Sequence, residues 1–341
     1  MRSTCAKNGA MIPLKMIPWQ SDAWTRALAD AITDPRVLLD RLGLEDMGVD
    51  FAPDFPLRVP VSFVERMHPR DPNDPLLRQV LPLATERDIA PGYAADPLRE
   101  ASATLAPGVI QKYQGRVLLI AAPACAVHCR YCFRRTFPYG DHRQAVAFDS
   151  LASVERDTSI SEVILSGGDP LMLKDVPLRR LIARLDAIPH LRRIRIHTRL
   201  PVVIPERATA ELMQLLGNTR TTLSIVLHVN HPNEIAGPFI DAIAALHRTG
   251  TTLLNQSVLL AGVNDNADVL DELSQRLFDN HILPYYLHLA DPVIGTHHFD
   301  VAETIGASLI ANLRARLPGY LVPRLVREVA GLDAKQRILF S

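Results

Sequence analysis

The sequence predicts an α/β protein built on a partial (βα)6 barrel, with an N-terminal helical extension and a short C-terminal segment. Three observations carry this. From residue 116 onward, apolar runs of strand length alternate with amphipathic stretches of helix length, the pattern of a parallel sheet covered by helices. Six such units fall short of the eight that close a full barrel. The residues with chemistry to offer lie just after the strands, where parallel α/β folds carry their sites. A doubly wound open sheet would satisfy the same pattern.

Taken in order, residues 1–18 lack periodicity and hold Met11 and Met16 as alternative starts, so a disordered leader is expected. Residues 19–110 read as a helical, proline-rich extension. Ser21 and Asp22 precede Trp24, Leu28 and Ile32 at helical spacing, Thr33-Asp34-Pro35 breaks the helix, and 37–42 restarts it. Ten prolines between 53 and 110 leave room only for short helical pieces, at 61–67 and 75–80. The barrel is expected over 111–300, with strands at 116–122, 162–166, 193–197, 223–229, 252–260 and 284–289. Helices are expected near 149–157, 176–187, 206–216, 236–249, 268–280 and 302–316. Leu178, Leu181, Ile182 and Leu185 show the apolar stripe well. Residues 301–341 form the C-terminal helix and tail.

Composition narrows the function. Lys+Arg and Asp+Glu are equal at 37 each, so no net basic field recruits nucleic acid. No apolar run approaches the ~20 residues that span a bilayer. Arg2 and Lys7 are followed by no apolar h-region, which argues against a signal peptide and for the cytoplasm. A homo-oligomer is left open.

The strongest local signal is Cys125, Cys129 and Cys132, spaced C-x3-C-x2-C directly after the first barrel strand; the fourth cysteine, Cys5, is remote. Thiolates are the ordinary ligands of iron–sulfur clusters. Three of them on a cubane leave one iron open to a small molecule bearing an amine and a carboxylate. A zinc site would need a fourth ligand, from His128 or a distant residue. A disulfide cannot pair an odd cluster. After the second strand, Gly167 and Gly168 would let a ligand approach the backbone and Asp169 could accept from an ammonium. Further polar groups end later strands: His197 to Pro201, His228 to Glu234, and Asn255-Gln256-Ser257.

The cysteine spacing, with Tyr131 before the last cysteine, resembles the radical S-adenosylmethionine (SAM) signature, and Gly167-Gly168-Asp169-Pro170 resembles that group's glycine-rich element, which binds the SAM amino group. From Pro56 onward the chain resembles the lysine 2,3-aminomutases. The resemblance rests on Lys112-Tyr-Gln-Gly-Arg116, 125–135, 166–171, His231-Pro-Asn-Glu234, 255–265 and Pro284-Tyr-Tyr286. Within the family it is most similar to the short branch that makes (R)-β-lysine for elongation factor P, to which a partner lysyl ligase attaches it; 74–80, 89–92 and 133–135 carry that likeness.

The resemblance implies a [4Fe-4S] cluster on Cys125, Cys129 and Cys132, SAM, and pyridoxal 5′-phosphate (PLP). Residue by residue, Lys335 stands where the family has its PLP lysine, although only Gly331 remains of the glycines that usually precede it. Tyr113 and Arg116 would contact PLP. Gly167, Gly168, Asp169, His228 and Gln256 would contact SAM, Arg134 the substrate carboxylate, and Asp291 and Glu328 the ε-ammonium of lysine. Longer members carry extra cysteines for zinc, one where this chain has Asn266, so zinc-linked assembly is not expected. A mutase acting on glutamate is the near alternative, though two acids disfavour a carboxylate side chain. A metal-stapled binding module without chemistry is the alternative of another class.

Overall fold

The computed structural model describes residues 20, 22–137 and 150–338; the leader expected at 1–18, with Cys5, lies outside them, as does residue 149 at the start of an expected helix. Ten strands form one sheet whose spatial order is the chain order. They are β1 (Thr104–Ala106), β2 (Val109–Tyr113), β3 (Arg116–Ala122), β4 (Glu162–Gly167), β5 (Arg193–Thr198), β6 (Thr222–Leu227), β7 (Thr252–Leu259), β8 (Leu283–Leu289), β9 (Arg324–Arg327) and β10 (Gln336–Arg337). Strands β3 to β9 run parallel, and β1, β2 and β10 add antiparallel edges. Among the described residues β1 and β10 do not pair, so the barrel stays open. One cavity is lined by residues of every strand from β2 to β9, which only a sheet curled around it allows.

The alternation along each strand sets what faces that cavity. In β4, Val163 and Leu165 are fully buried beneath helices, while Glu162, Ile164 and Ser166 line the cavity. In β5, Ile194 and Ile196 pack outward and Arg195 and His197 turn inward. The six expected strands are β3 to β8. The structure adds β9 as a seventh parallel strand and three short edge strands, so the sheet runs beyond the expected barrel limits of 111 and 300.

The extension holds α1 (Ala23–Ala29), α2 (Pro35–Leu42), α3 (Val61–Val64) and α4 (Pro75–Arg78); the covering helices are α5 (Leu151–Arg156), α6 (Asp175–Asp186), a short α7 (Leu200–Val203), α8 (Ala210–Gly217), α9 (Pro238–Arg248), α10 (Ala267–Asp279) and α11 (Glu303–Arg316). Their starts follow local chemistry. Thr209 caps α8 by accepting from the Leu212 amide at 3.2 Å, which moves its start inward from the expected 206. Asn266 caps α10 by accepting from the Asp268 amide at 2.7 Å, a helix-start role that the side chain suits.

The extension shares one apolar core with the sheet, from Trp24, Leu38 and Phe63 through to Leu165 and Ile196. It also holds the cysteine loop. The amides of His128 and Arg130 donate to the carbonyls of Arg58 and Gln79, each at 2.9 Å. Arg130, wholly buried, pairs through two nitrogens with Glu86, which also takes Arg135. Burial alone would raise Glu86, yet the two guanidiniums, Arg130 foremost, hold it below the usual carboxylate range.

Candidate active site

The three thiols emerge from the turn after β3, each half-buried. Burial, then the neighbouring thiols, pushes Cys125 well above the ordinary thiol range and Cys132 to about 11. Metal-free, these two stay protonated, and ligation must release their protons. Among the described residues no three His, Cys, Asp or Glu side chains converge tightly enough for a single metal ion. A cubane asks for something else: thiolates spread around a body larger than one ion, one per corner iron. Three soft donors fit that group. His128 serves the loop instead, with Nδ1 2.8 Å from the Pro56 carbonyl and its ring stacked on Phe55 at 4.9 Å.

The glycine loop is shaped first by packing. A Cβ on Gly168 would lie 2.4 Å from the Ala124 carbonyl oxygen, and one on Gly167, at φ +112°, would lie 2.8 Å from that of Ala122. The glycines therefore seat the β4 loop against the backbone that leads into the cysteines. Asp169 departs from the expected ammonium acceptor. Its oxygens take the Thr198 hydroxyl at 2.7 and 2.9 Å and the amides of Leu171, Arg199 and Leu200 at 3.0, 2.8 and 2.9 Å. With that many donors the carboxylate is committed to tying the β4 and β5 loops together.

A chain of alternating charges crosses the cavity wall. Glu100, 3% exposed, accepts from Arg134 Nε and Nη2, both at 2.8 Å. Arg134 Nη1 reaches Ser166 Oγ at 3.1 Å and the Gly167 carbonyl at 3.3 Å. Lys112 Nζ bridges Glu100 at 2.9 Å and Glu328 at 2.8 Å, and Lys335 Nζ pairs with the other Glu328 oxygen. Burial, then the nearby charge of Glu328, raises the Tyr113 hydroxyl, and Arg116 lies over the Tyr113 ring at 4.6 Å. Burial opposes ionisation of both acids. Arg134 and then Lys112 overcome it at Glu100, Lys335 and then Lys112 at Glu328, and each carboxyl drops to about 2.

Asp291, just after β8, behaves oppositely. Burial first, then the negative charge of Glu328, raises it to about 7. Among the described residues no side chain or amide pairs with its carboxylate. Deeper in the cavity, burial lowers His228 to about 3, and its Nε2 sits 3.0 Å from Gln256 Nε2. His197 and His288, also held neutral by burial, each leave Nε2 without a partner.

All of Cys125, Cys129, Cys132, Tyr113, Arg116, Arg134, Gly167, Gly168, Asp169, His228, Gln256, Asp291, Glu328 and Lys335 line this single cavity of about 710 Å³. Lys174, at the start of α6, does not. Glu100, Lys112, Arg199 and Tyr286 line the cavity too and were not singled out as site residues. Lys112, Arg199 and Tyr286 lie in the stretches Lys112–Arg116, His197 to Pro201 and Pro284-Tyr-Tyr286 and were within reach of sequence reasoning; Glu100 was not. An amine, a ring and a guanidinium on adjoining walls (Lys335, Tyr113 and Arg116) suit an aromatic aldehyde carrying an anionic group.

A curled parallel sheet with three thiols after its first parallel strand, opening on one large cavity, defines a radical SAM enzyme. The Radical SAM superfamily pattern matches residues 119–273. The chain is 44% identical to the L-lysine 2,3-aminomutase of Buchnera aphidicola subsp. Baizongia pistaciae, over 95% of this chain and 98% of that one. It is 46% identical to that of Escherichia coli strain K12, over 92% and 93%, and 37% identical to that of Clostridium subterminale, over 81% and 67%. A radical SAM methyltransferase from Sphaerobacter thermophilus aligns at a TM-score of 0.44 and 17% identity, over 64% of this chain and 68% of that one. The chain belongs to the lysine 2,3-aminomutase family. It is therefore an isomerase, and membership implies a [4Fe-4S] cluster, SAM and PLP. Among the described residues no helix is long and apolar enough to cross a membrane.

Proposed function

We propose that the protein converts L-lysine to β-lysine, moving the amino group from C2 to C3 while a hydrogen passes from C3 to C2. The observation that carries this reading is Asp291: a half-buried carboxylate that, among the described residues, has no hydrogen-bond or ion-pair partner, beside Glu328, in the cavity that the cysteines line. An alkylammonium is the ligand such a wall lacks. Lys335 already shows that Glu328 accepts one.

Cys125, Cys129 and Cys132 would hold the cluster, and Lys335, Tyr113 and Arg116 the PLP. When bound, the cluster with SAM supplies a hydrogen-abstracting radical, and PLP keeps the migrating nitrogen conjugated. The chain's own part is binding and exclusion. Arg134 offers the substrate carboxylate a planar donor, pre-aimed by Glu100, so the carboxylate meets the edge that Ser166 and the Gly167 carbonyl now occupy. His228, neutral near pH 7, and Gln256 present a polar face to SAM without adding charge. The enclosed cavity keeps water from a reactive carbon centre. A glutamate side chain would face two carboxylates and be repelled.

We further read the product as the (R) isomer, used with a lysyl ligase to modify elongation factor P. The similarity of 74–80, 89–92 and 133–135 to that branch supports this. The test is anaerobic reconstitution with iron, sulfide, PLP and SAM, followed by chiral chromatography of product from lysine and from glutamate. The reading expects (R)-β-lysine and no β-glutamate; β-glutamate alone would overturn it.

A further inference from the structure

One buried cation has no place in the account so far. Arg199 follows β5, is 5% exposed, and sits between the rings of Phe63 and Tyr131, with Cζ 5.3 and 5.6 Å from their centroids. Its Nη2 is anchored from behind by Gln79 Oε1 at 2.7 Å and Glu234 Oε2 at 3.0 Å. Gln79 and Glu234 are themselves fully buried. Its Nη1 points the other way, to Cys129 Sγ at 2.8 Å and to the Tyr131 hydroxyl. The remaining nitrogen, Nε, is buried without a partner.

We propose that Arg199 is a positioning residue that sets the reduction potential of the cluster, by holding a guanidinium hydrogen bond and a positive charge against the Cys129 sulfur. Hydrogen bonds to the sulfurs, net charge and solvent exposure set such potentials. A reduced cluster carries one more negative charge than an oxidised one, so a donor cation at a ligating sulfur favours the reduced form. Burial strengthens the effect by excluding water. Glu234 opposes it, because its charge partly cancels that of Arg199. A mere cross-link between loops would need neither the contact with sulfur nor a net charge at that end. The inference rests on Cys129 being a cluster ligand.

The test is an anaerobic redox titration of the reconstituted holoenzyme without SAM, read by the electron paramagnetic resonance signal of the reduced cluster, with iron and sulfide content measured on each sample. Cys129→Ala checks the underlying reading: it should fail to hold the cluster, and full iron loading there would remove the ligand assignment rather than the role of Arg199. Arg199→Gln, loaded to the wild-type level, should lower the ratio of reduced to oxidised cluster at fixed potential at least tenfold, about 59 mV for one electron. Arg199→Lys keeps the charge but not the fork, and should shift less in the same direction. Glu234→Gln should shift the potential upward. Unchanged potentials in loaded Arg199 variants would overturn the proposal. If neither Arg199 variant holds iron, Glu234→Gln decides: an upward shift supports the role, and an unchanged or lower potential overturns it.

Discussion

Substitution of Asp291 by Asn should make the ligand-free protein more stable and the enzyme worse. In the ligand-free fold Asp291 titrates at about 7 against 3.8 for an ordinary aspartate. About three pK units correspond to about 4 kcal/mol by which burial and Glu328 disfavour the ionised form. The sign follows from proton binding. Below pH 3.8 the group is protonated folded or unfolded and costs nothing. As pH rises toward 7 only the unfolded chain gives up its proton, so stability falls, and the full cost is present above 7. Asparagine has no charge to bury. Asp291→Asn should therefore raise the melting temperature most at pH 8 and least at pH 4. The same change removes a charge-assisted hydrogen bond to the substrate ammonium, typically about 1.5–3 kcal/mol, or roughly 10- to 150-fold in apparent lysine affinity. In wild type, lysine binding should tighten as pH rises through 7; the variant should lose that dependence. Melting curves across pH and lysine saturation curves of the reconstituted enzyme measure both effects. A variant that is less stable at pH 8 and keeps wild-type lysine affinity would refute the argument.

Glu100→Gln removes the carboxylate that Arg134 and Lys112 share, and breaking a buried pair costs about 3–5 kcal/mol. Because Glu100 is held at about 2 against an ordinary 4.5, its contribution is complete above 4.5 and lost as pH falls through 2; the stability gap to wild type in denaturant titrations should close over that range. Glu86→Ala should cost a similar amount and lower the iron bound per chain on reconstitution, since Arg130 and Arg135 lose their shared anchor; normal iron loading would show that the loop holds itself. Borohydride reduction with PLP present should label Lys335 in peptide maps. A label on Lys112, whose amine shares Glu328, would reassign the cofactor lysine.

The barrel strands β3 to β8 were legible because each carries apolar residues, in a run or in alternation, over a strand's length. Strands β2 and β9 were not. Val109–Tyr113 turns Lys112 and Tyr113 into a polar cavity, so its apolar alternation breaks, and Arg324–Arg327 is four residues long with an arginine at each end. The cysteine spacing announced its chemistry because thiols so close together have few other uses. Gly167 and Gly168 misled in part: they suggested ligand approach, whereas the nearer constraint is the carbonyls of Ala122 and Ala124. Asp169 also serves as a latch, which the sequence could not show, since only the fold brings Thr198 and three amides to its oxygens. Glu100 was silent, and the partner of Arg199 hidden, for the same reason. Each acts on residues 34 and 70 positions away, and no local pattern marks such a pairing.

The central claim is migration of the lysine amino group within one molecule, and isotope transposition tests it most directly. Lysine carrying 15N on its α-amino group and 13C at C3 would be given to the anaerobically reconstituted enzyme and followed by nuclear magnetic resonance. The account predicts a new one-bond 13C–15N coupling at C3 as β-lysine forms. Cleavage of SAM with the lysine label left on C2, or released as ammonia, would contradict it.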